Sequence, residues 1–213
     1  MRHRRRAVLS FCCAAACGLL SLPLEAQQSA APNVPTYNVE VVIFRALGAL
    51  GTAENWAAQT RGSTMSGEDD APVSTADAGA ARLTATVPGA DFKLTEIESR
   101  LRASSAYQPI AHAAWQQTAS PWGSKLGFPL DKLGISAAGL SGTIALERGQ
   151  YLHLDFDLNY APASTPAGLS AAPGTVFVLN ESRRVKFFER NYFDHPVFGV
   201  IAIVTPVQSR PGR

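Results

Sequence analysis

The chain has 213 residues, 46% of them hydrophobic and 17% charged, with a formal net charge of +2, a length that suits one domain with a sizeable core or one domain plus flexible insertions. Four arginines and one glutamate fall within the first 26 residues; without them the 19 basic and 17 acidic side chains leave a charge of about −1, which withdraws the main support for nucleic-acid affinity. No apolar run reaches the roughly 20 residues that span a bilayer, so an integral membrane protein is not expected.

Residues 1–26 have the layout of a signal peptide: Arg2, Arg4, Arg5 and Arg6, an apolar stretch from Ala7 to Leu22, then Leu24-Glu25-Ala26 as a cleavage pattern. All three cysteines, Cys12, Cys13 and Cys17, lie inside it, so cleavage after Ala26 removes disulfide, thiolate and Cys-ligated zinc chemistry. Lipidation at Cys17 is the alternative; Ala14-Ala15-Ala16 is a weak lipobox, and the apolar run continues through Leu22. An exported, soluble product is expected.

Residues 27–36 read as a flexible tether. From Tyr37 to Phe44, the row Tyr37, Val39, Val41, Ile43 and the opposite row Asn38, Glu40, Val42, Phe44 are both largely apolar, the pattern of a central strand. Residues 46–90 are rich in Ala, Gly, Ser and Thr and read as a long mobile insertion, with Trp56 anchoring part of it. Leu94, Ile97 and Leu101 then recur at helical spacing, with Glu96/Arg100 and Glu98/Arg102 as i,i+4 pairs, so an amphipathic helix ending near Ser104 should cover one face of a sheet. Tyr107 to Gln117 is extended after Pro109. Ser141–Leu146 and Tyr151–Tyr160 form a hairpin around Arg148-Gly149. In its second strand Leu152, Leu154, Phe156 and Leu158 point one way; Tyr151, His153, Asp155 and Asp157 point the other, toward solvent or a ligand. A Pro-rich loop at 161–174 leads to strands over Thr175–Lys186 and Phe198–Thr205. These elements make a single domain over 37–206 of class α+β: a mainly antiparallel sheet, one principal amphipathic helix and two long loops rich in Ala, Gly and Pro.

Chemistry-bearing residues concentrate in three runs: His112 to Gln117, Tyr151 to Asp157, and Glu181 to Gly199. On the strand from Thr175, Arg183 shares a face with Glu181 and is placed to pair with it or with Asp194, a structural role. Arg184 and Lys186 belong to the opposite row and can meet an outside anion or remain solvated. Asp194-His195-Pro196 reads as a tight turn in which Asp194 accepts backbone N–H groups. As a hydrolytic dyad it lacks a nucleophile motif, since there is no G-x-S-x-G. His112, His153 and His195 with Asp155 or Asp194 offer a weak case for zinc, because they scatter over three strands. Trp115 and Tyr151 can stack on sugar rings or fill the core.

Order and spacing across these runs resemble the CsiV family of exported, peptidoglycan-binding proteins. The resemblance begins at Tyr37-Asn-Val-Glu-Val-Val-Ile-Phe44 and continues through Leu101-Arg102, Tyr107, Pro109, His112, Trp115 and Gln117. It includes Gly142, Tyr151-Leu-His153-Leu and Glu181-Ser-Arg183-Arg184, and closes on Tyr192-Phe-Asp194-His195-Pro196, Phe198 and Gly199. Two departures stand out: Gln150 where the family has arginine, and Asn191 where it has histidine. The resemblance implies periplasmic residence, binding to peptidoglycan and support of its synthesis, with no reaction, cofactor or metal. The ligand-binding candidates are Trp115, Tyr151, His153, Arg183, Arg184, Lys186, Tyr192, Asp194 and His195. The competing readings are an adaptor for a periplasmic wall-synthesis protein, and a wall hydrolase using Asp194 and His195.

Overall fold

The computed structural model describes residues 34–47, 81–164, 169, 171–172 and 174–207. The leader, the tether up to residue 33 and most of the 46–90 stretch with Trp56 lie outside them.

Among the described residues ten strands and one α-helix follow in the order β1 (Thr36–Ala46), β2 (Leu83–Thr86), α1 (Thr95–Ala103), β3 (Tyr107–Thr118), β4 (Ser120–Pro121), β5 (Phe128–Pro129), β6 (Leu140–Arg148), β7 (Leu152–Tyr160), β8 (Phe177–Val185), β9 (Arg190–Asp194) and β10 (Phe198–Pro206). They form two sheets. One has the order β2-β3-β1-β10-β9, the other β4-β6-β7-β8 with β5 also on β6. Every strand pair is antiparallel except the short β4/β6 contact. The class is α+β, as the sequence pattern predicts.

The period-2 rows decide how the sheets meet. Tyr37, Val39, Val41 and Ile43 of β1, with Val200, Ala202 and Val204 of β10, face Leu154, Phe156 and Leu158 of β7 and Leu179 of β8 in one continuous core. Phe156 meets Phe193 across the sheets with ring centroids 4.4 Å apart, and Tyr160 meets Phe198 at 5.4 Å. Each such side chain contributes about 1.5–3 kcal/mol by leaving water. The outer row of β1 is apolar too because α1 lies over it: Val42, Leu94 and Ile203 are buried together, with Ile97, Leu101 and Ile201 packed around them. The Glu96/Arg100 and Glu98/Arg102 pairs form on the exposed side of α1, as their spacing predicts.

Two differences from the sequence reading have plain causes. Leu83–Thr86, within the stretch read as an insertion, pairs with β3; the strand is four residues long and mostly exposed, so its pattern carries little signal. The outer row of β7 is covered at His153, which is only 8% exposed. The segment after β4 folds back over it, held by Glu147, whose buried carboxylate accepts the N–H groups of Gly123 (2.9 Å) and Lys125 (2.5 Å) and the Ser124 hydroxyl (3.3 Å). Trp122 then lies on His153 with ring centroids 3.7 Å apart, and Lys125 pairs with Asp155 at 2.7 Å.

Candidate functional site

Antiparallel register brings the outward residues of β1, β3 and β10 into lateral rows: Asn38 beside Gln116 and Thr205, Glu40 beside Ala114 and Ile203, Val42 beside His112 and Ile201, Phe44 beside Gly199. Helix α1 packs on the middle of this face, with Leu94 buried against Val42 and Ile203.

The helix is pinned at its N-terminus by a strand side chain. Leu94 precedes the first turn without any side-chain cap of its own. Glu40 fills that role: its Oε2 accepts the N–H of Lys93 at 2.8 Å and its Oε1 that of Leu94 at 2.7 Å, satisfying donors that a helix start leaves open. His112 completes the anchor, with Nε2 2.9 Å from Glu40 and Nδ1 2.7 Å from Glu98. Burial works against the imidazolium, and the two glutamates more than offset it, so the His112 pKa is raised. For Glu40, burial pushes upward, and the bonds from His112, Lys93 and Leu94 carry the net shift downward. His112 also lies against the Phe92 ring at 4.4 Å. The anchor is structural, and the sequence reading did not single out Glu40.

Beside it opens a cleft of about 350 Å3, lined in part by Asn38, Glu40, Thr86, Asp91, Lys93 and Gln116. On the far side of α1 three aromatics run across the sheet: Tyr107 meets Phe44 edge-on at 5.4 Å, and Tyr192 stacks on Phe44 at 6.1 Å. Gly199 makes that stack possible, since a Cβ there would come within 2.9 Å of the Phe44 ring and 3.1 Å of Tyr192. The Tyr192 hydroxyl donates to Asp194 Oδ1 at 2.7 Å, and burial, reinforced by that carboxylate, raises its pKa.

The remaining candidates fall into three places. Trp115 is 1% exposed in the core and donates its indole N–H to Gln117 Oε1 at 2.7 Å, so its ring faces are not open to a ligand. Arg183 pairs with Glu181, donates to the Tyr192 carbonyl at 2.8 Å and lies 5.2 Å from the Phe193 ring centre, tying the edge of one sheet to the edge of the other. His195 sits beside Phe177 and Phe198, and its Nδ1 accepts the Val197 N–H at 3.1 Å. Burial, only partly opposed by Asp194, lowers its pKa to about 4. The turn at 194–196 is thus held by the histidine, while Asp194 takes the Tyr192 hydroxyl in place of the backbone N–H groups expected from the sequence.

On the outer face of the other sheet, Arg184 stands opposite His153 in register. Its guanidinium carbon lies over the Tyr151 ring, 3.2 Å from the ring centre, and no described carboxylate pairs with it. Lys186, two residues on, contacts Glu189 at 3.4 Å. His112, His153 and His195 occupy three separate places, and no group of three His, Cys, Asp or Glu side chains among the described residues is placed to hold a metal ion. No described helix is long and apolar enough to cross a membrane.

These features define a class: a two-sheet α+β protein with a polar cleft on the outer face of one sheet and a stacked cation on the outer face of the other. The sequence model of CsiV, described as a peptidoglycan-binding protein, matches residues 8–207. The chain belongs to that family. No curated protein matches the chain, and no solved structure matches it.

Proposed function

We propose that this protein is a non-catalytic accessory of the periplasm, exported by its N-terminal segment, that binds peptidoglycan and supports wall synthesis. Family membership supplies the ligand. The observation that carries the reading is Arg184 on Tyr151. An arginine stacked on an aromatic face keeps its N–H edge free and oriented, and that edge matches a carboxylate bidentately. The peptide arms of the wall carry such carboxylates, and Lys186, exposed two residues on and in contact with Glu189, adds a second cation. Contacts of this kind are individually weak and screened by salt, so attachment draws on repetition along the polymer.

The roles of Trp115, His153 and Arg183 in this reading are structural. In this reading Asp194 and His195 hold the edge turn and the aromatic row. The test is pelleting of the chain from Gln27 onward with purified sacculi over a salt series, with the supernatant analysed for wall fragments after long incubation. Pelleting at low salt that fades at high salt, with no fragments released, is the expected result. A chain that stays in the supernatant at low salt, or one that releases fragments, overturns the proposal.

A further inference from the structure

The cleft beside α1 is built for a ligand that the Arg184 face does not explain. Its floor is the lateral row Asn38, Gln116 and Thr205, with the small Ala114 next to it, and Lys93 and Asp91 stand at its rim. Asn38 Oδ1 is buried without any hydrogen-bond partner, and its amide nitrogen reaches only Thr205 Oγ1, at 3.4 Å. A buried acceptor left open costs about 1–3 kcal/mol, so native structures rarely keep one without a reason. Glu40, which also lines the cleft, already accepts from Lys93 N–H, Leu94 N–H and His112. At the rim neither Lys93 nor Asp91 has an ion-pair partner among the described residues.

We infer that this cleft binds a short peptide segment with a free carboxylate, which on the proposed peptidoglycan reading is the stem peptide and not the glycan. Among the described residues no aromatic side chain lines the cleft, so they give it no ring on which to stack a sugar. What it offers is two side-chain amides, Asn38 and Gln116, for the polar groups of a peptide, and one cation, Lys93, for a carboxylate. Asp91 beside Lys93 suits a group that carries an ammonium next to its carboxylate, as amino acids do. A volume of about 350 Å3 is at the lower end of the roughly 300–1,000 Å3 of small-ligand sites, enough for a few residues and too little for a glycan strand. Arg184 and the cleft lie on opposite outer faces, so each can hold its own segment of a repetitive polymer.

The test is two-dimensional NMR of the chain from Gln27 onward, titrated with a synthetic stem tetrapeptide, the same peptide amidated at its C-terminus, and peptide-free glycan strands. The tetrapeptide is expected to shift the amide resonances of Asn38, Gln116 and Lys93, and both amidation and Lys93→Ala are expected to weaken binding by about tenfold, one lost charge-assisted contact. Gln116→Ala, at a partly buried surface position, serves as a second variant should Lys93→Ala perturb the helix start. Shifts that map elsewhere, a peptide affinity indifferent to both substitutions, or glycan strands that occupy the cleft instead would overturn the inference. Sacculus pelleting separates the two ideas: pelleting without peptide binding at the cleft overturns this inference alone, whereas loss of both overturns the wall-binding reading with it.

Discussion

Replacing Glu40 with glutamine removes one charge from the anchor of α1 while keeping the side chain's size. The carboxylate is 4% exposed and accepts from Lys93 N–H, Leu94 N–H and His112. A carboxamide keeps one acceptor oxygen and turns its NH2 toward at least one of these donors, leaving a buried N–H open at about 1–3 kcal/mol. Removing one partner of a buried ion pair costs about 3–5 kcal/mol. Glu98 still holds the other ring nitrogen of His112, so the low end, about 3 kcal/mol, is expected in urea unfolding near neutral pH. The pH dependence provides a second reading. Because the folded pKa of His112 lies above its ordinary value, the stability it contributes is complete below about 6.5 and is lost as pH rises through the folded value. Glu40→Gln removes one of the two carboxylates responsible and should flatten that loss. A change under about 0.5 kcal/mol, or a pH profile parallel to that of the wild type, would refute the reasoning.

His195 works in the opposite sense: with a folded pKa of about 4, stability falls as pH drops from about 6.5 toward that value, and His195→Gln should remove this slope in acid titrations followed by circular dichroism. Trp115→Ala should cost about 3–5 kcal/mol by opening the core, while the folded fraction pelletes with sacculi as the wild type does; a selective loss of pelleting would return Trp115 to the ligand. Phe188 is 65% exposed at φ +64°, a region that costs a non-glycine residue about 1–3 kcal/mol. Phe188→Gly should therefore hold or raise the thermal midpoint, and a clear drop would mean that the ring contributes packing not apparent in its exposure. Arg183→Ala should lower stability by about 1–3 kcal/mol through the lost bridge to β9, with wall affinity unchanged once folding is controlled for.

Local pattern carried the frame of this fold. Two apolar rows in Tyr37–Phe44 required covers on both faces, and α1 and the second sheet are those covers. The Glu181/Arg183 pair was legible because period 2 places both on one face. Contacts between distant segments were not legible. The burial of His153 depends on Trp122, thirty-one positions earlier and brought there by Glu147. The cleft had a faint signal: Glu40 and Asn38 interrupt the outer row of a central strand, and Ala114 and Gln116 repeat a polar-and-small alternation beside them. A single strand shows only half of such a site, and the register of β1 against β3 and β10 supplies the rest.

The measurement that bears most directly on the account is sacculus pelleting of the wild-type chain beside the Arg184→Ala/Lys186→Ala variant, at low salt, with both shown to be folded. The wild type is expected to pellet and the folded double variant largely to remain in the supernatant. Equal pelleting of the two would contradict the assignment of the Arg184 face, and a wild-type chain that does not pellet at all would contradict wall binding itself.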